Sequence, residues 1–291
     1  GAFLSGGVDS GLLVALSVEH ASKFHTFSVG FEGLDINELP YARQVAERYG
    51  ARHHELTLTA SMVMENLDRA LMALSEPVAD SALVPTFILS EMASAEGVKV
   101  ILSGTGGDEV FGGYTRYVGD TFKRKMLLTI PYSIRMMFGK MPLLNNTVLG
   151  MRFRHLALDL MMNTGGSCIL SRSLFKNRNE FITFIKELVT ECFPLVDDRV
   201  PQLYNLMQFD LSVYLADELL LLLDQMTMSW TIEGRVPLLD IDVVKSSFEL
   251  PVSAQVDDGQ TKLFLKKLAT PYLGKEFVTR KKQGFGAPVQ F

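Results

Sequence analysis

Ala2-Phe3-Leu4-Ser5-Gly6-Gly7-Val8-Asp9-Ser10-Gly11-Leu12-Leu13 is the stretch that decides the fold of this chain. Ala2-Phe3-Leu4 is short, apolar and stopped by paired glycines, as a buried parallel strand is. Leu12, Leu13 and Leu16 then recur at helical spacing, which predicts a helix starting near Ser10 with those leucines on one face. A strand that passes through a glycine turn directly into a helix is the opening unit of a layered α/β fold.

The same alternation continues outward. Phe24 to Phe31 is aromatic and β-branched and reads as a second strand, ended by Gly30 and Gly33. Ala42, Val45, Ala46 and Tyr49 keep helical spacing until Gly50 supplies a stop. His54 to Thr59 alternates like a strand, and Ser61 to about Leu74 is helical. After Pro85 a further helix places Ile88, Met92 and Ala95 on one stripe, and Val98 to Leu102 is a fourth strand. This order predicts a parallel sheet flanked by helices on both faces, with ligands bound beyond the carboxyl ends of the strands. From about Thr121 strand signals vanish, so the C-terminal half reads as mostly helical, with loops near Asn145, Thr164-Gly165-Gly166 and Asp257-Asp258-Gly259.

Composition narrows the functional classes. Of 291 residues 47% are hydrophobic and 21% charged, which is globular and not disordered. A net charge of -5 excludes nucleic-acid binding through a general basic field, and Lys123-Arg124-Lys125 reads as a solvated helix face. Cys168 and Cys192 have no CxxC partner and no histidines at metal spacing, so a reducing compartment and no structural zinc are expected. No signal peptide or 18-residue apolar run is present. Met126 to Leu144 comes nearest and is interrupted by Pro131, Arg135, Lys140 and Pro142. A cytoplasmic protein that does not enter a membrane is expected.

Two turns carry the chemistry. In Ser5 to Ser10 adjacent glycines let backbone N–H groups approach an anion, the following helix adds the positive end of its dipole, and Ser5 and Ser10 add hydroxyls. Asp9 would repel phosphates unless a cation intervenes, and Mg²⁺ bridging Asp9 and phosphate oxygens resolves the conflict. By itself the hexapeptide also fits an ordinary strand-to-helix turn with Asp9 at the helix start. The chain has no GxxxxGK[ST] and no GxGxxG motif. The second turn, Ser103-Gly104-Thr105-Gly106-Gly107-Asp108-Glu109, follows the fourth strand and repeats the logic: small residues, then a carboxylate pair. Alone it reads as a loop ending in a helix cap; paired with the first on one rim of the sheet, it reads as a second part of a MgATP site, with Asp108 as a second magnesium ligand. His53 and His54 are expected to be exposed or hydrogen-bonded in the core, and the fourteen methionines to be core filler.

Ser5-Gly6-Gly7-Val8-Asp9-Ser10 resembles the pyrophosphate-loop motif of the ATP-pyrophosphatase group. Along almost its full length the chain further resembles the synthetase domain of glutamine-dependent asparagine synthetases. The resemblance is carried by Phe27 to Phe31, Glu38 to Arg43, Glu76 to Ser81, Ser103 to Tyr114, Asp224 to Met228, Glu233 to Asp240 and Arg280 to Phe285. It implies an adenine nucleotide alpha hydrolase-like fold, with 1–120 as the α/β nucleotide-binding core and 121–291 as the mainly helical part completing the site. It implies amide formation in two steps: a carboxylate, L-aspartate first among candidates, is adenylated by MgATP with loss of pyrophosphate, and ammonia then gives asparagine and AMP. Leu4 and Val29 would frame the adenosine, Ser103 and Gly104 would line the nucleotide, and Ser5, Gly6, Gly7 and Ser10 would cradle pyrophosphate. Asp9 and Asp108 would hold magnesium, and Lys262 would neutralise phosphate charge. Glu233, Arg235 and Asp240 read as ion pairs or caps behind the site. Arg280 and Lys281 touch substrate or phosphate, or form a solvated basic tail. The family's glutamine-hydrolysing domain has no counterpart in these residues, and it is expected upstream as the source of ammonia; a homodimer is an open option.

Three departures bear on the substrate. Thr105 stands where asparagine synthetases usually place Asp or Glu and lactam-forming relatives a tyrosine; a threonine donates a hydrogen bond but is no base near neutral pH. Gly11 replaces a serine, and Gln225 stands where arginine is common. Another carboxylate as acceptor, lactam formation, and a relative that binds nucleotide without catalysis therefore remain open.

Overall fold

A computed structural model describes residues 1–33, 38–78, 80–118 and 201–280. The readings made above for Lys123 to Lys125, Met126 to Leu144, Asn145, Thr164 to Gly166, Cys168, Cys192 and Lys281 lie outside the described residues. Backbone contacts divide the chain into two units. Among the described residues the first takes in Gly1–Gly107, Tyr214–Ser247 and 264–280, and the second 108–118, 201–213 and Phe248–Leu263.

The first unit holds a five-stranded sheet in the order β3-β2-β1-β4-β5, every neighbouring pair parallel. Its strands are β1 (Ala2–Phe3), β2 (His25–Phe31), β3 (Arg52–Leu58), β4 (Val100–Leu102) and β5 (Glu233–Arg235). Between the first four run α1 (Val8–Ser17), α2 (Leu39–Arg48), α3 (Ala60–Met72) and α4 (Leu83–Ala95). Right-handed crossovers put α1 and α2 on one face and the α3–α4 connection on the other, because the path reverses direction after β3. The contacts agree: α1 packs on α2, and α3 on α4. The reversal lies between β1 and β4, which makes the gap beyond their carboxyl ends a topological switch point.

The core between sheet and helices is built from Phe27, Leu58, Ile88, Leu89, Ile101, Met226 and Ile232, all nearly or fully buried. Each such side chain contributes roughly 1.5–3 kcal/mol relative to exposure. Helix α2 behaves as its periodicity predicts, burying Ala42, Val45 and Ala46 and ending before Gly50, whose φ is +64°. Thr59 caps α3, its hydroxyl accepting from the Met62 amide at 3.2 Å.

Four expectations are corrected. Helices α1 and α4 are buried nearly all round, not along one stripe, so Leu16 and Ala95 fall at exposed ends. The C-terminal half contributes a strand, β5, where none is legible: Glu-Gly-Arg has no β-propensity and is ordered by pairing with β4. Met64, Met72 and Met228 are exposed and fill no core. The second-turn glycines have a packing cause that is given below.

The second unit contains α5 (Gly107–Val110), which starts at its boundary, α6 (Gln202–Phe209) and α9 (Val252–Gln255). A π-helical stretch, Asp210–Leu220, leads on to α7 (Leu221–Met228), and α8 (Ile241–Phe248), α10 (Leu263–Leu273) and α11 (Lys275–Thr279) follow. The second unit's core gathers Tyr117, Leu203, Tyr204, Leu206, Met207, Phe209 and Val256. Asp210 is fully buried there, 2.6 Å from Arg116 Nη2 and accepting from the Tyr117 hydroxyl.

Candidate functional site

In the first unit β1 runs into the Ser5 to Ser10 turn, and α1 begins with Gly7 as its cap. Gly7 brings no side chain to bond the first amides of the helix, the condition that favours an anion there. The turn is knitted by its two serines. Ser10 Oγ accepts from the Ser5 amide at 3.2 Å, lies 3.1 Å from Ser5 Oγ and donates to the Gly7 carbonyl at 3.4 Å. Gly6 has φ +71°, and a Cβ there would lie 2.8 Å from the Glu38 carbonyl. The first glycine is thus required by backbone conformation and by close approach to α2. Leu4 donates its amide to Phe27 O at 2.9 Å, and its carbonyl accepts from Ser28 Oγ. Val29 continues β2 beside Leu56.

The second turn leaves β4 at Ser103, whose amide donates to Arg235 O at 2.8 Å. Ser103 Oγ lies 2.8 Å from Thr105 Oγ1, so the hydroxyl of Thr105 is engaged within its own turn. The glycines here are explained by Asp9. A Cβ on Gly104 would lie 3.0 Å from Asp9 Cβ, and one on Gly107 would lie 2.8 Å from Asp9 Oδ1. A Cβ on Gly106, whose φ is +90°, would overlap Leu239. The sequence suggests small residues making room for a ligand; three of them make room for protein. The consequence for the site is that Asp9, only 6% exposed, has its carboxylate held by the second turn at the switch point. Gly11, where a serine is usual, packs under α10, a Cβ there lying 3.1 Å from Leu273 Cδ1.

In the second unit Lys262 and Asp108 form an ion pair, Nζ to Oδ1 2.9 Å. Lys262 is 4% exposed and has φ +55°, a left-handed backbone that a lysine adopts only when its surroundings impose it. A Cβ on Gly113 would overlap both members of the pair, and the Gly113 amide donates to Asp108 O at 2.7 Å. A buried lysine in a strained turn is unlike most lysines, which stay solvated. Next to the pair Glu109 is buried, and the Tyr114 hydroxyl donates to its Oε1. Burial, with a smaller push from Asp108, raises its carboxyl to about 7 against the pull of Tyr114 and Lys262. The sequence pairs Glu109 with Asp108 but gives no sign of its burial or of a role of its own.

The other residues singled out have structural duties. Arg235 Nε lies 2.8 Å from Glu233 Oε1, both exposed, and Asp240 Oδ1 accepts the Asp242 amide at the start of α8. Gln225 Oε1 accepts from the Ser75 amide at 3.0 Å. His53 Nδ1 lies 2.8 Å from Thr26 Oγ1. Among the described residues His25, His54 and Glu96 form the one group with metal-ligand composition. His25 Nδ1 and His54 Nε2 are 3.1 Å apart, with ring centroids at 5.2 Å and planes 7° from parallel. The two nitrogens are within hydrogen-bond distance of each other, and Glu96 is shared with Arg52 at 3.4 Å. This is a hydrogen-bonded pair near the amino ends of β2 and β3. No described helix is long and apolar enough to cross a membrane.

The family profile described as asparagine synthase matches residues 1–290. A protein named putative asparagine synthetase [glutamine-hydrolyzing] from Mycobacterium tuberculosis is 32% identical over all of this chain and 45% of its own length. Asparagine synthetase [glutamine-hydrolyzing] 1 from Bacillus subtilis is 28% identical over all of this chain and 46% of its own length. A putative asparagine synthetase [glutamine-hydrolyzing] 2 from Methanocaldococcus jannaschii is 39% identical over 49% of the chain and 27% of its own length. The chain spans less than half the length of the curated relatives that it matches in full.

Proposed function

Since the chain belongs to the asparagine synthase family, we propose that it is the synthetase part of a ligase that forms an amide at the expense of ATP. The carrying observation is Asp9, buried at the start of α1 and enclosed by Gly104 and Gly107 at the switch point of a parallel sheet. A carboxylate beside helix amides suits a magnesium-phosphate group, because the amides meet the phosphate oxygens and the carboxylate meets the cation.

In this reading a substrate carboxylate oxygen attacks the α-phosphorus of ATP, the bond to the bridging oxygen breaks, and pyrophosphate leaves from an acyl-adenylate. Ammonia attacks the acyl carbon, a proton is lost, and AMP departs. The turn Ser5 to Ser10 and the first amides of α1 bind pyrophosphate, while Leu4 and Val29, with Ser103 and Gly104, take the nucleoside side. By the family motif Asp9 and Asp108 would hold magnesium, which would supply charge neutralisation at the phosphate oxygens. Lys262 serves the phosphates in the same sense, a role that rests on the family motif and suits its burial against a carboxylate. Ammonia comes from a glutamine-hydrolysing domain elsewhere in the full protein, supported by the names and greater length of the relatives.

L-aspartate is the first candidate acceptor. A second reading, with a different small carboxylate, is favoured by Thr105: its hydroxyl is bonded to Ser103 and it offers no base for the incoming amine. Exchange of labelled pyrophosphate into ATP, run across a panel of acids, separates the two. L-aspartate is expected to drive exchange, and Asp9→Asn to lower it by about 100-fold. Exchange driven by another acid and not by L-aspartate sinks the asparagine assignment, and wild-type exchange in Asp9→Asn sinks the magnesium role.

A further inference from the structure

Arg280 follows α11 directly and lies 274 residues from Gly6, yet its Nη2 donates to the Gly6 carbonyl. Its side chain is 15% exposed, with Glu38 Oε1 at 3.4 Å and the guanidinium carbon 4.1 Å above the centroid of the Tyr41 ring. Phe277 adds a second ring at 5.3 Å and meets Tyr41 edge-on. The arginine thus ties the phosphate turn, the start of α2 and the end of α11 together within the first unit. It is not the solvated tail that its sequence position also allowed.

The tie acts on one peptide. In a trans peptide the Gly6 carbonyl and the Gly7 N–H lie in one plane and point in opposite directions. With the carbonyl held outward on Arg280, the Gly7 N–H points into the turn, where Ser5 Oγ lies 3.4 Å away. Between two glycines the reverse orientation of this plane meets no Cβ barrier, so the turn itself does not prevent it. That reversal would aim a carbonyl oxygen at the bound anion and remove one amide from the cradle.

We infer that Arg280 is a positioning residue that locks the Gly6–Gly7 peptide so that its amide, and not its carbonyl, faces the phosphates. This rests on the reading of Ser5 to Ser10 as the phosphate turn. The planar fork is what the lock uses, since it bonds the carbonyl while stacking on Tyr41; an ammonium cannot do both.

The test measures MgATP affinity by calorimetry for wild type, Arg280→Met and Arg280→Lys, at low salt and at about 0.5 M salt, where charge at a distance is screened. Both variants are expected to bind about tenfold more weakly at both salt concentrations. Unchanged affinity in Arg280→Met overturns the inference, as does a loss that vanishes at high salt or in Arg280→Lys, because either means that charge alone acts. In parallel, ¹⁵N-glycine spectra of the nucleotide-free proteins are expected to show the Gly7 amide displaced in both variants with most other glycine amides unmoved. An unmoved Gly7 amide overturns the lock. If wild type fails to bind MgATP, the proposed function falls, and the Gly7 spectrum still decides the lock.

Discussion

Gly107→Ala separates a glycine kept for packing from one kept for a ligand. Gly107 is not among the left-handed glycines, so alanine meets no backbone penalty, only the steric one. Its Cβ would lie 2.8 Å from Asp9 Oδ1 and 2.9 Å from both Asp9 Cγ and Leu238 Cδ1. A relaxed contact is about 3.5 Å, so the Asp9 carboxylate must withdraw by about 0.7 Å. Asp9 and Leu238 are both buried and the turn is closed by backbone bonds, so neither side-chain end has open space to move into. Overpacking of this kind costs about 1–3 kcal/mol. At about 2–4 °C per kcal/mol, the thermal midpoint is expected to fall by roughly 2–12 °C. Misplacing a reacting group by 1 Å costs about 100-fold, so pyrophosphate exchange is expected to fall at least about tenfold. The assays are a thermal melt without nucleotide and exchange at saturating magnesium. A variant that melts within about 1 °C of wild type and exchanges at the wild-type rate refutes the placement of Asp9 against this turn.

Two further outcomes follow from buried charge. Glu109, held at about 7 against an ordinary 4.5, keeps in the folded chain a proton that the unfolded chain releases across that interval. Its contribution, on the order of 3 kcal/mol, is complete below pH 4.5 and is lost as pH rises through 7; Glu109→Gln is expected to remove that slope from urea-denaturation stabilities, and an unchanged slope refutes it. Asp210→Asn leaves the Arg116 guanidinium facing a neutral amide in the second unit's core, and a loss of about 3 kcal/mol is expected by the same assay. A loss below about 1 kcal/mol means that the pair is not a buried one.

What was legible in the sequence is what periodicity and turn chemistry encode locally. Strands β1 to β4 announce themselves by apolar or alternating runs, and both glycine turns follow the ends of strands. Strand β5 is silent because Glu233, Gly234 and Arg235 become a strand only by lying against β4. The glycine turns were visible, but their reasons were not: Gly104 and Gly107 answer to Asp9, nearly a hundred residues earlier in the chain. Lys262 was identifiable only by resemblance, since nothing around Gly259-Gln260-Thr261 signals a left-handed lysine buried on Asp108. Arg280 was visible as a charge and invisible as a contact.

These failures share a cause. Each concerns a polar residue whose partner is distant in sequence, and a polar residue carries no periodicity to betray its burial. Asp9, Lys262, Glu109 and Arg280 are nonetheless the side chains on which the proposed chemistry or its scaffold depends. Burying charge is costly unless the surroundings are built for it. The accommodations are therefore the better guide to the site: a turn with two tight glycines against Asp9, a glycine that leaves room for the Asp108–Lys262 pair, and two aromatic rings under Arg280. In this chain the small residues that protein atoms crowd say more about function than the charged residues that attract notice first.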